Sequence, residues 1–313
     1  MARTATPSES EVAWDDAIQD SFGRLDRFAP RGARDDLATF ANAEGWLRQC
    51  QIAREASRGQ AYAMAHSVLS LLGAGLLAGA MNAVAGGGSF VTLPALIHAG
   101  LPSVAANASS TVALFPGSLA SAWAYRADLV SLGGVRLRAL LAASLVGGAA
   151  GAALLLATPA ATFDAVIPWL LLLATLALAF GRRLGAALRR RGRPISAPPV
   201  LAAQFLLAVY GGYFGGAVGI MMMAVWGLID GADLRAMNPA KTVLVAATNA
   251  IAVLCFAVAG AVRWPETLAV LVSAALGGYA GARLARRLDA RLIRAGVVAI
   301  TAAITVAFFL RAM

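Results

Sequence analysis

Ten apolar segments follow one another between residues 67 and 311, and they constrain the fold more than any other feature of the chain. They cover about 67–85, 89–99, 104–125, 138–157, 163–181, 199–216, 217–229, 242–262, 266–282 and 292–311. Eight of them approach the roughly 20 residues that a helix needs to cross a bilayer. Segments 89–99 and 217–229 are shorter, so we expect each to be a half-helix that continues or folds back from its predecessor. The sequence therefore predicts an all-α, polytopic transmembrane helical bundle of eight full spans plus two partial or broken helices.

The composition supports a membrane location. Hydrophobic residues make up 59% of the chain and charged residues 13%, whereas soluble domains carry about a quarter charged residues. The net charge is +10, but the basic residues lie in short clusters between apolar segments, as they do in cytoplasmic loops. We therefore expect a multi-pass protein of the cell (inner) membrane whose partner is the lipid bilayer, and no nucleic acid.

Few residues are suited to catalysis or metal binding. The two cysteines, Cys50 and Cys255, cannot form a disulfide framework, and His66 and His98 are too far apart in sequence to suggest a metal site. The acidic residues beyond residue 65 all lie at segment ends. A membrane-embedded enzyme would need a nucleophile, a metal cluster or paired carboxylates within the spans. We therefore expect no enzyme, no catalytic residue, no metal and no cofactor.

Residues 1–65 differ from the rest, with ten acids, eight arginines and no long apolar run. No signal peptide is therefore expected. Trp14, Ile18 and Phe22 recur at helical intervals, and residues 34–54 show a similar pattern, so we predict a polar helical extension. It could pack on the cytoplasmic face, lie at the membrane interface or mediate contacts in a homo-oligomer. Its partner is left open.

A break interrupts the apolar pattern between Asn82 and Thr111. Three glycines precede Ser89, the chain restarts through Pro94, and a run of polar residues begins at Asn107. Glycines are poor helix formers, and the backbone groups that they free cannot be satisfied by lipid. The break therefore suits either a small polar solute or close packing of helices through small residues.

An internal repeat emerges when the chain is aligned with itself at an offset of 131 residues. The identities that align are Gly88 with Gly219, Gly100 with Gly231, Ala105 with Ala236, Asn107 with Asn238, Thr111 with Thr242, Val112 with Val243, Leu145 with Leu276 and Gly147 with Gly278. The second half thus has its own glycine-rich break before Asn238. We predict an extension at 1–65, a first transmembrane repeat with a basic linker at 66–198, and a second transmembrane repeat at 199–313.

Loop charges favour an inverted arrangement of the two repeats. Arginines and the single lysine cluster after the third, fifth, seventh and ninth segments and are scarce between them. Ten crossings place five in each half, an odd number that inverts the second repeat. The cost is that the charged amino-terminal tail would have to cross the membrane. Eight crossings would keep the tail inside but would place the arginines of residues 283–294 outside, so this alternative stays open.

These features together resemble the sulfite exporter TauE/SafE family of membrane permeases. The resemblance rests on the Gly-Gly-Gly-Ser pattern with Pro94, the stretch from Asn107 to Thr111, its second-half copy, and the glycine pairs at 147–148 and 277–278. It covers roughly residues 68–311 and implies a permease for sulfite, thiosulfate, sulfoacetate or related organosulfonates. The charged extension departs from the short start that is usual in the family.

An oxyanion at the membrane midplane needs replacements for its hydrogen bonds, and broken helices offer free backbone N–H groups and a favourable dipole. The predicted substrate-binding residues are Asn82, Gly86, Gly87, Gly88, Ser89, Asn107, Ser109, Ser110 and Thr111 in the first half and Gly215, Gly216, Gly219, Asn238, Lys241, Thr242 and Asn249 in the second. Lys241, the only lysine, could neutralise the anion or could extend to the cytoplasmic surface.

Export or facilitated passage of the anion is the favoured direction, because an anion that leaves a negative interior needs no coupling ion. A small-anion channel could use the same glycines and hydroxyls, and a transporter of small carboxylates is a further alternative. A structural or signalling membrane protein would explain the extension but not the duplicated polar break.

Overall fold

The computed structural model describes residues 68–84, 86–127, 129, 135–189, 197–226, 237–285 and 289–312. Over these ranges the chain forms helices joined by turns and short irregular connections, which confirms the all-α prediction. The helical extension predicted for residues 1–65 lies outside the described residues. The basic connections 190–196, 227–236 and 286–288 lie outside them as well.

Each described helix covers one of the predicted apolar segments. The helices are α1 (Val68–Val84), α2 (Ser89–His98), α3 (Ser103–Ala124), α4 (Leu137–Ala157), α5 (Ala160–Arg189), α6 (Ala197–Tyr213), α7 (Val218–Trp226), α8 (Asn238–Val258), α9 (Trp264–Ala285) and α10 (Ala290–Ala312). The two short segments are α2 and α7, with 10 and 9 residues. At the rise of about 1.5 Å per residue, neither is long enough to cross a bilayer alone.

Four helices of the described chain are both long and apolar enough to span a membrane. They are the segments Leu137–Ala157, Ala160–Gly181, Asn238–Val258 and Trp264–Leu284. Helix α3 has 22 residues but is not among them. Its first half carries polar side chains, from Ser103 to Thr111, which lower its hydropathy.

Close helix contacts through glycine organise the bundle. A β-carbon on Gly212 of α6 would overlap the Gly148 carbonyl oxygen of α4, and one on Gly277 of α9 would overlap the Leu76 carbonyl oxygen of α1. Small residues allow two backbones to approach this closely, and dispersion and packing then hold the helices together where lipid offers no hydrophobic driving force. Helix α4 is therefore tied to α6, and α9 is tied to α1.

The main core lies around α2, α3 and α5. Phe90, Leu93, Phe163 and Leu171 are fully buried in one cluster, to which Phe256 of α8 also contributes. Large apolar side chains also face outward, among them Leu206 and Val258, which are 65% and 81% exposed. An apolar outer surface of this kind suits contact with lipid. The core thus surrounds α3, the helix that carries the buried polar residues.

Candidate functional site

Two breaks in the helices have the same backbone geometry. Helix α1 ends before Gly86, whose φ is 76°, and α6 ends before Gly215, whose φ is 80°. Each of these glycines donates its N–H back to a carbonyl five residues earlier, from Gly86 to Met81 at 3.2 Å and from Gly215 to Tyr210 at 3.5 Å. A positive φ is accessible to glycine without the penalty that a β-carbon brings, so both helices end in the way typical of a glycine C-cap.

The same hydrogen-bond pattern restarts a helix after both breaks, although the accepting residue has a φ of −58° at Gly88 and 57° at Ala217. In the first half, Val91 and Thr92 donate their N–H groups to the Gly88 carbonyl at 3.1 and 3.2 Å. In the second half, Ile220 and Met221 donate to the Ala217 carbonyl at 3.0 and 3.2 Å. The short helices α2 and α7 thus begin beside a break, where the first N–H groups of a helix have no intrahelical partner.

Polar side chains fill the buried half of α3. Ser103, Asn107, Ser109, Ser110 and Thr111 are each exposed by 8% or less. Burying a polar group away from water costs free energy unless the group forms a hydrogen bond within the protein. The partners of these side chains therefore show what α3 is positioned to do.

Ser110 connects α3 to the first broken element. Its Oγ lies 2.5 Å from Oγ1 of Thr92, in the middle of α2. Thr92 is fully buried, and its hydroxyl donates to the Gly88 carbonyl at 3.3 Å. A chain of hydroxyls therefore runs from α3 to the glycine break that precedes α2.

Asn107 connects the same helix to the second broken element. Its Nδ2 donates to the carbonyl oxygen of Tyr213, the last residue of α6, at 2.9 Å. Thr111, one turn further along α3, lies next to the glycine that ends α6, because its Oγ1 is 3.8 Å from where a β-carbon on Gly215 would lie. Helix α3 therefore contacts both breaks.

Ser109 contacts a third element. Its Oγ accepts a hydrogen bond from the backbone N–H of Arg263 at 3.0 Å, in the connection that leads into α9. A buried serine that caps the start of a neighbouring helix already has a structural role. Ser109 thus holds α9 against α3, whereas Asn107 and Ser110 contact the broken elements.

Helix α8 repeats part of the α3 pattern. Thr242 Oγ1 donates to the Asn238 carbonyl at 2.9 Å, and Thr111 Oγ1 donates to the Asn107 carbonyl at 3.0 Å. These residues of α8 are only half-buried, whereas those of α3 are buried. Pro239 lies in the first turn of α8, where its missing N–H is not needed.

Lys241 packs along the start of α7. Its Cδ lies 3.3 Å from where a β-carbon on Gly219 would be, so the absence of a side chain at Gly219 makes room for the lysine stem. The residue is half-buried, and no carboxylate of the described residues forms an ion pair with it. A positive charge next to the first turn of a helix adds to the positive end of the helix dipole, which together favour an anion.

The structure places the predicted residues in four groups. The first break and the helix ends beside it hold Asn82, Gly86, Gly87, Gly88 and Ser89; α3 holds Asn107, Ser109, Ser110 and Thr111; the second break and the start of α7 hold Gly215, Gly216 and Gly219; and α8 holds Asn238, Lys241, Thr242 and Asn249. Hydrogen bonds or close contacts join α3 to both breaks, and Lys241 to α7. Among the described residues, no hydrogen bond joins Asn249 to either break.

Three groups that contact the predicted residues were not foreseen. They are the Thr92 hydroxyl, the Tyr213 carbonyl and the Arg263 N–H. Thr92 had a usable signal, because it is a hydroxyl within a short apolar segment and three residues after Ser89. The two backbone groups had no such signal, because every residue type has backbone hydrogen-bonding groups and the sequence does not indicate which one a side chain will contact.

The several apolar spans and the two broken elements held by a buried polar helix define a multi-pass membrane transporter. Residues 71–308 match the family model of the sulfite exporter TauE/SafE. The chain belongs to the sulfite exporter TauE/SafE family, as the resemblance of its motifs predicted.

Curated relatives are of the same kind. The chain is 30% identical over 228 residues to the probable membrane transporter protein YfcA of Escherichia coli strain K12, covering 72% of this chain and 84% of that protein. It is 27% identical over 225 residues to a probable membrane transporter protein of Haemophilus influenzae, covering 72% and 87%. It is 27% identical over 243 residues to the probable membrane transporter protein ORF9 of a Sinorhizobium species, covering 77% and 92%. No solved structure matches the chain.

Proposed function

We propose that the protein is a permease of the cell (inner) membrane that moves a small sulfur-containing anion, such as sulfite, thiosulfate, sulfoacetate or another organosulfonate, by export or facilitated passage. The observation that carries the proposal is the position of α3. Ser110 reaches the first broken element through Thr92, and Asn107 reaches the end of the second through Tyr213. A small solute between the breaks would meet the buried polar residues of α3.

The charge of the solute is inferred from the second half. Lys241 lies over the start of α7, where free backbone N–H groups and the helix dipole already favour negative charge. Charged residues at membrane depth are costly and usually serve function. A small anion would offset that cost directly.

A duplicated architecture fits the proposal, with eight full spans, two broken helices and an inverted second half. The left-handed glycines that end α1 and α6 match at a spacing of 129 residues, from Gly86 to Gly215, whereas Asn107 and Asn238 match at 131. This spacing differs from the ungapped alignment of the sequence, which pairs Gly88 with Gly219. Transporters built from inverted repeats place their substrate between broken helices at the midplane, and the basic connections favour this topology over a parallel one.

Outward passage follows from the charge of the substrate. Each negative charge that leaves a cell with a negative interior gains about 2.3 kcal/mol per 100 mV. That gain drives export of an anion without a coupling ion. Uptake against the potential would require protons or sodium.

Flux through proteoliposomes tests the proposal. Purified protein is reconstituted, and the initial efflux of sulfite, thiosulfate and sulfoacetate is measured beside that of acetate and succinate. We expect saturable efflux of at least one sulfur anion, which is stimulated by the same anion on the opposite side. Uphill uptake of that anion at zero potential under a proton gradient alone would overturn the proposal that the protein exports the anion without a coupling ion.

The same experiment separates the alternatives. Efflux that neither saturates nor responds to anion on the opposite side would indicate a channel. Efflux of acetate or succinate with no efflux of the sulfur anions would indicate a carboxylate transporter. No flux of any anion above that of protein-free liposomes would overturn the permease proposal itself.

A further inference from the structure

We propose that the substrate carries a hydrogen-bond donor as well as its negative charge, and that Asn107 and Thr111 select for this donor. The inference rests on the proposed function and specifies the class of anion that the α3 site would take. That class comprises hydroxy- or amino-substituted sulfonates and singly protonated oxyanions. Fully deprotonated oxyanions and plain alkyl sulfonates lack such a donor.

Asn107 has a side-chain oxygen without a hydrogen-bond partner among the described residues. The side chain is 1% exposed, and its Nδ2 donates to the Tyr213 carbonyl at 2.9 Å. That contact fixes the orientation of the amide, since the reverse orientation would set two oxygens against each other. The other end of the amide, Oδ1, is buried and has no hydrogen-bond partner among the described residues. A buried acceptor without a partner costs about 1 to 3 kcal/mol.

Thr111 is a second acceptor at the same place. Its only hydroxyl hydrogen is committed to the Asn107 carbonyl, at 3.0 Å. Its Oγ1 lone pairs remain free to accept, and they lie beside Gly215, which has no side chain to fill the space. Both acceptors therefore flank the end of α6, where the second break begins.

Ser110 does not supply the missing donor. Thr92 Oγ1 lies 3.3 Å from the Gly88 carbonyl, and with the Thr92 hydrogen placed on that carbonyl, Ser110 is the donor in the 2.5 Å pair of hydroxyls that joins α2 to α3. The hydrogens of Ser110 and Thr111 are thus both used within the protein. Asn107 and Thr111 thus offer oxygen acceptors to a ligand, whereas positive charge and N–H groups come from Lys241 and the start of α7.

A ligand that satisfies both sides has a negative end and a donor end. An oxyanion without a proton would bring its own lone pairs towards Asn107 Oδ1 and Thr111 Oγ1, and acceptors facing acceptors repel. A hydroxyl or acid proton would instead satisfy one of the two acceptors, and a protonated amine could satisfy both. The site should therefore bind an anion with a hydrogen-bond donor more tightly than an analogue without one, because the analogue leaves buried acceptors unpaired.

A matched pair of sulfonates tests this inference. Ethanesulfonate and 2-hydroxyethanesulfonate carry the same single charge and differ by one hydroxyl. Their dissociation constants are measured by titration calorimetry with the full-length protein purified in detergent. We expect the hydroxylated anion to bind roughly two- to tenfold more tightly, which corresponds to one net hydrogen bond.

Variants locate the effect. Asn107→Leu should bring the ratio of the two constants to about one, and Thr111→Val should reduce it. Ser121→Ala, on the exposed last turns of the same helix, should leave the ratio unchanged. The ratio for the wild-type protein needs no variant, so the inference remains testable even where Asn107→Leu does not fold.

The outcomes distinguish this inference from the proposed function. Equal binding of the two sulfonates by the wild-type protein, or tighter binding of ethanesulfonate, overturns the donor requirement while sulfur-anion flux in proteoliposomes still supports a permease. Binding of neither sulfonate also overturns it. If in addition no sulfur anion moves through the proteoliposomes, the proposed function fails as well.

Discussion

Thr175 of α5 donates a hydrogen bond to Thr305 of α10 across 130 residues of sequence, with 2.9 Å between the two Oγ1 atoms. The direction is set by Thr305, which donates its own hydrogen to the Thr301 carbonyl at 2.7 Å and can only accept from Thr175. Both side chains are buried. Helices α5 and α10 are each the fifth helix of a proposed repeat, so the bond joins two helices that the repeat would pair.

Replacing Thr175 with valine should lower the free energy of unfolding by about 0.6 kcal/mol, the average for hydrogen bonds between membrane helices, and by no more than about 1.7 kcal/mol. Valine keeps the shape of threonine and removes only the donor. The change is followed by reversible unfolding in mixed micelles, with Ser121→Ala as the control. An unchanged stability would mean that the bond between α5 and α10 contributes nothing.

Glycine contacts between helices yield a second prediction. Gly212→Ala should destabilise the protein by about 1 to 3 kcal/mol, because the new methyl group would meet the Gly148 carbonyl and force α6 away from α4. Gly117 provides the matched control on α3, since a β-carbon there has no neighbour within 4 Å. Gly117→Ala should be neutral or stabilising, because alanine is the better helix former. Similar melting temperatures for the two variants would contradict the close contact.

Gly86 tests the geometry of the first break. Its φ of 76° is unfavourable for a residue with a β-carbon, and no atom lies within 4 Å of where that carbon would be. Gly86→Ala should therefore cost roughly 1 to 2 kcal/mol through the backbone alone. Gly86→Asn should cost less, since asparagine tolerates this conformation better. If alanine is no worse than asparagine in thermal unfolding, the break does not hold the left-handed conformation.

Lys241 tests the source of positive charge. Lys241→Met keeps an unbranched stem against Gly219 and removes the charge, so affinity for the transported anion should fall at least tenfold. One pairing at an effective dielectric constant of 20 is worth roughly 4 kcal/mol at 4 Å. Arg263→Met removes a charge from an exposed side chain and serves as the control. Equal loss in both variants would point to overall electrostatic attraction of anions rather than to a site at α7.

Much of the fold follows from patterns that are local in sequence. The apolar segments predicted where the helices lie, because a helix that contacts lipid or the protein core needs apolar side chains along its whole length. The glycine runs predicted both breaks, since positive φ at Gly86 and Gly215 requires residues of this kind. The number of full spans was not predictable in the same way. Helix α3 has the length of a span, but its polar residues lower its hydropathy.

The contacts of the site depend on distances that no local pattern encodes. Asn107 was predicted from its residue type, yet its partner is a main-chain oxygen 106 residues away. Ser109 was predicted to contact substrate, and the partner that its hydroxyl has in the structure, the N–H of Arg263, lies 154 residues away. The direction of a hydrogen bond between two hydroxyls also depends on a third group. The donor in the Thr92–Ser110 pair, for example, depends on whether Thr92 donates to the Gly88 carbonyl. These features depend on how the helices pack against one another, whereas the periodicity of the sequence gives information on one helix at a time.

The most direct test of the central claim is sulfur-anion efflux from proteoliposomes containing the wild-type protein, Asn107→Leu or Ser121→Ala, at matched amounts of folded protein. If α3 lines the path between the two breaks, Asn107→Leu should reduce the initial rate at least tenfold, while Ser121→Ala should keep the wild-type rate. A folded Asn107→Leu protein that transports the anion at the wild-type rate would contradict the account.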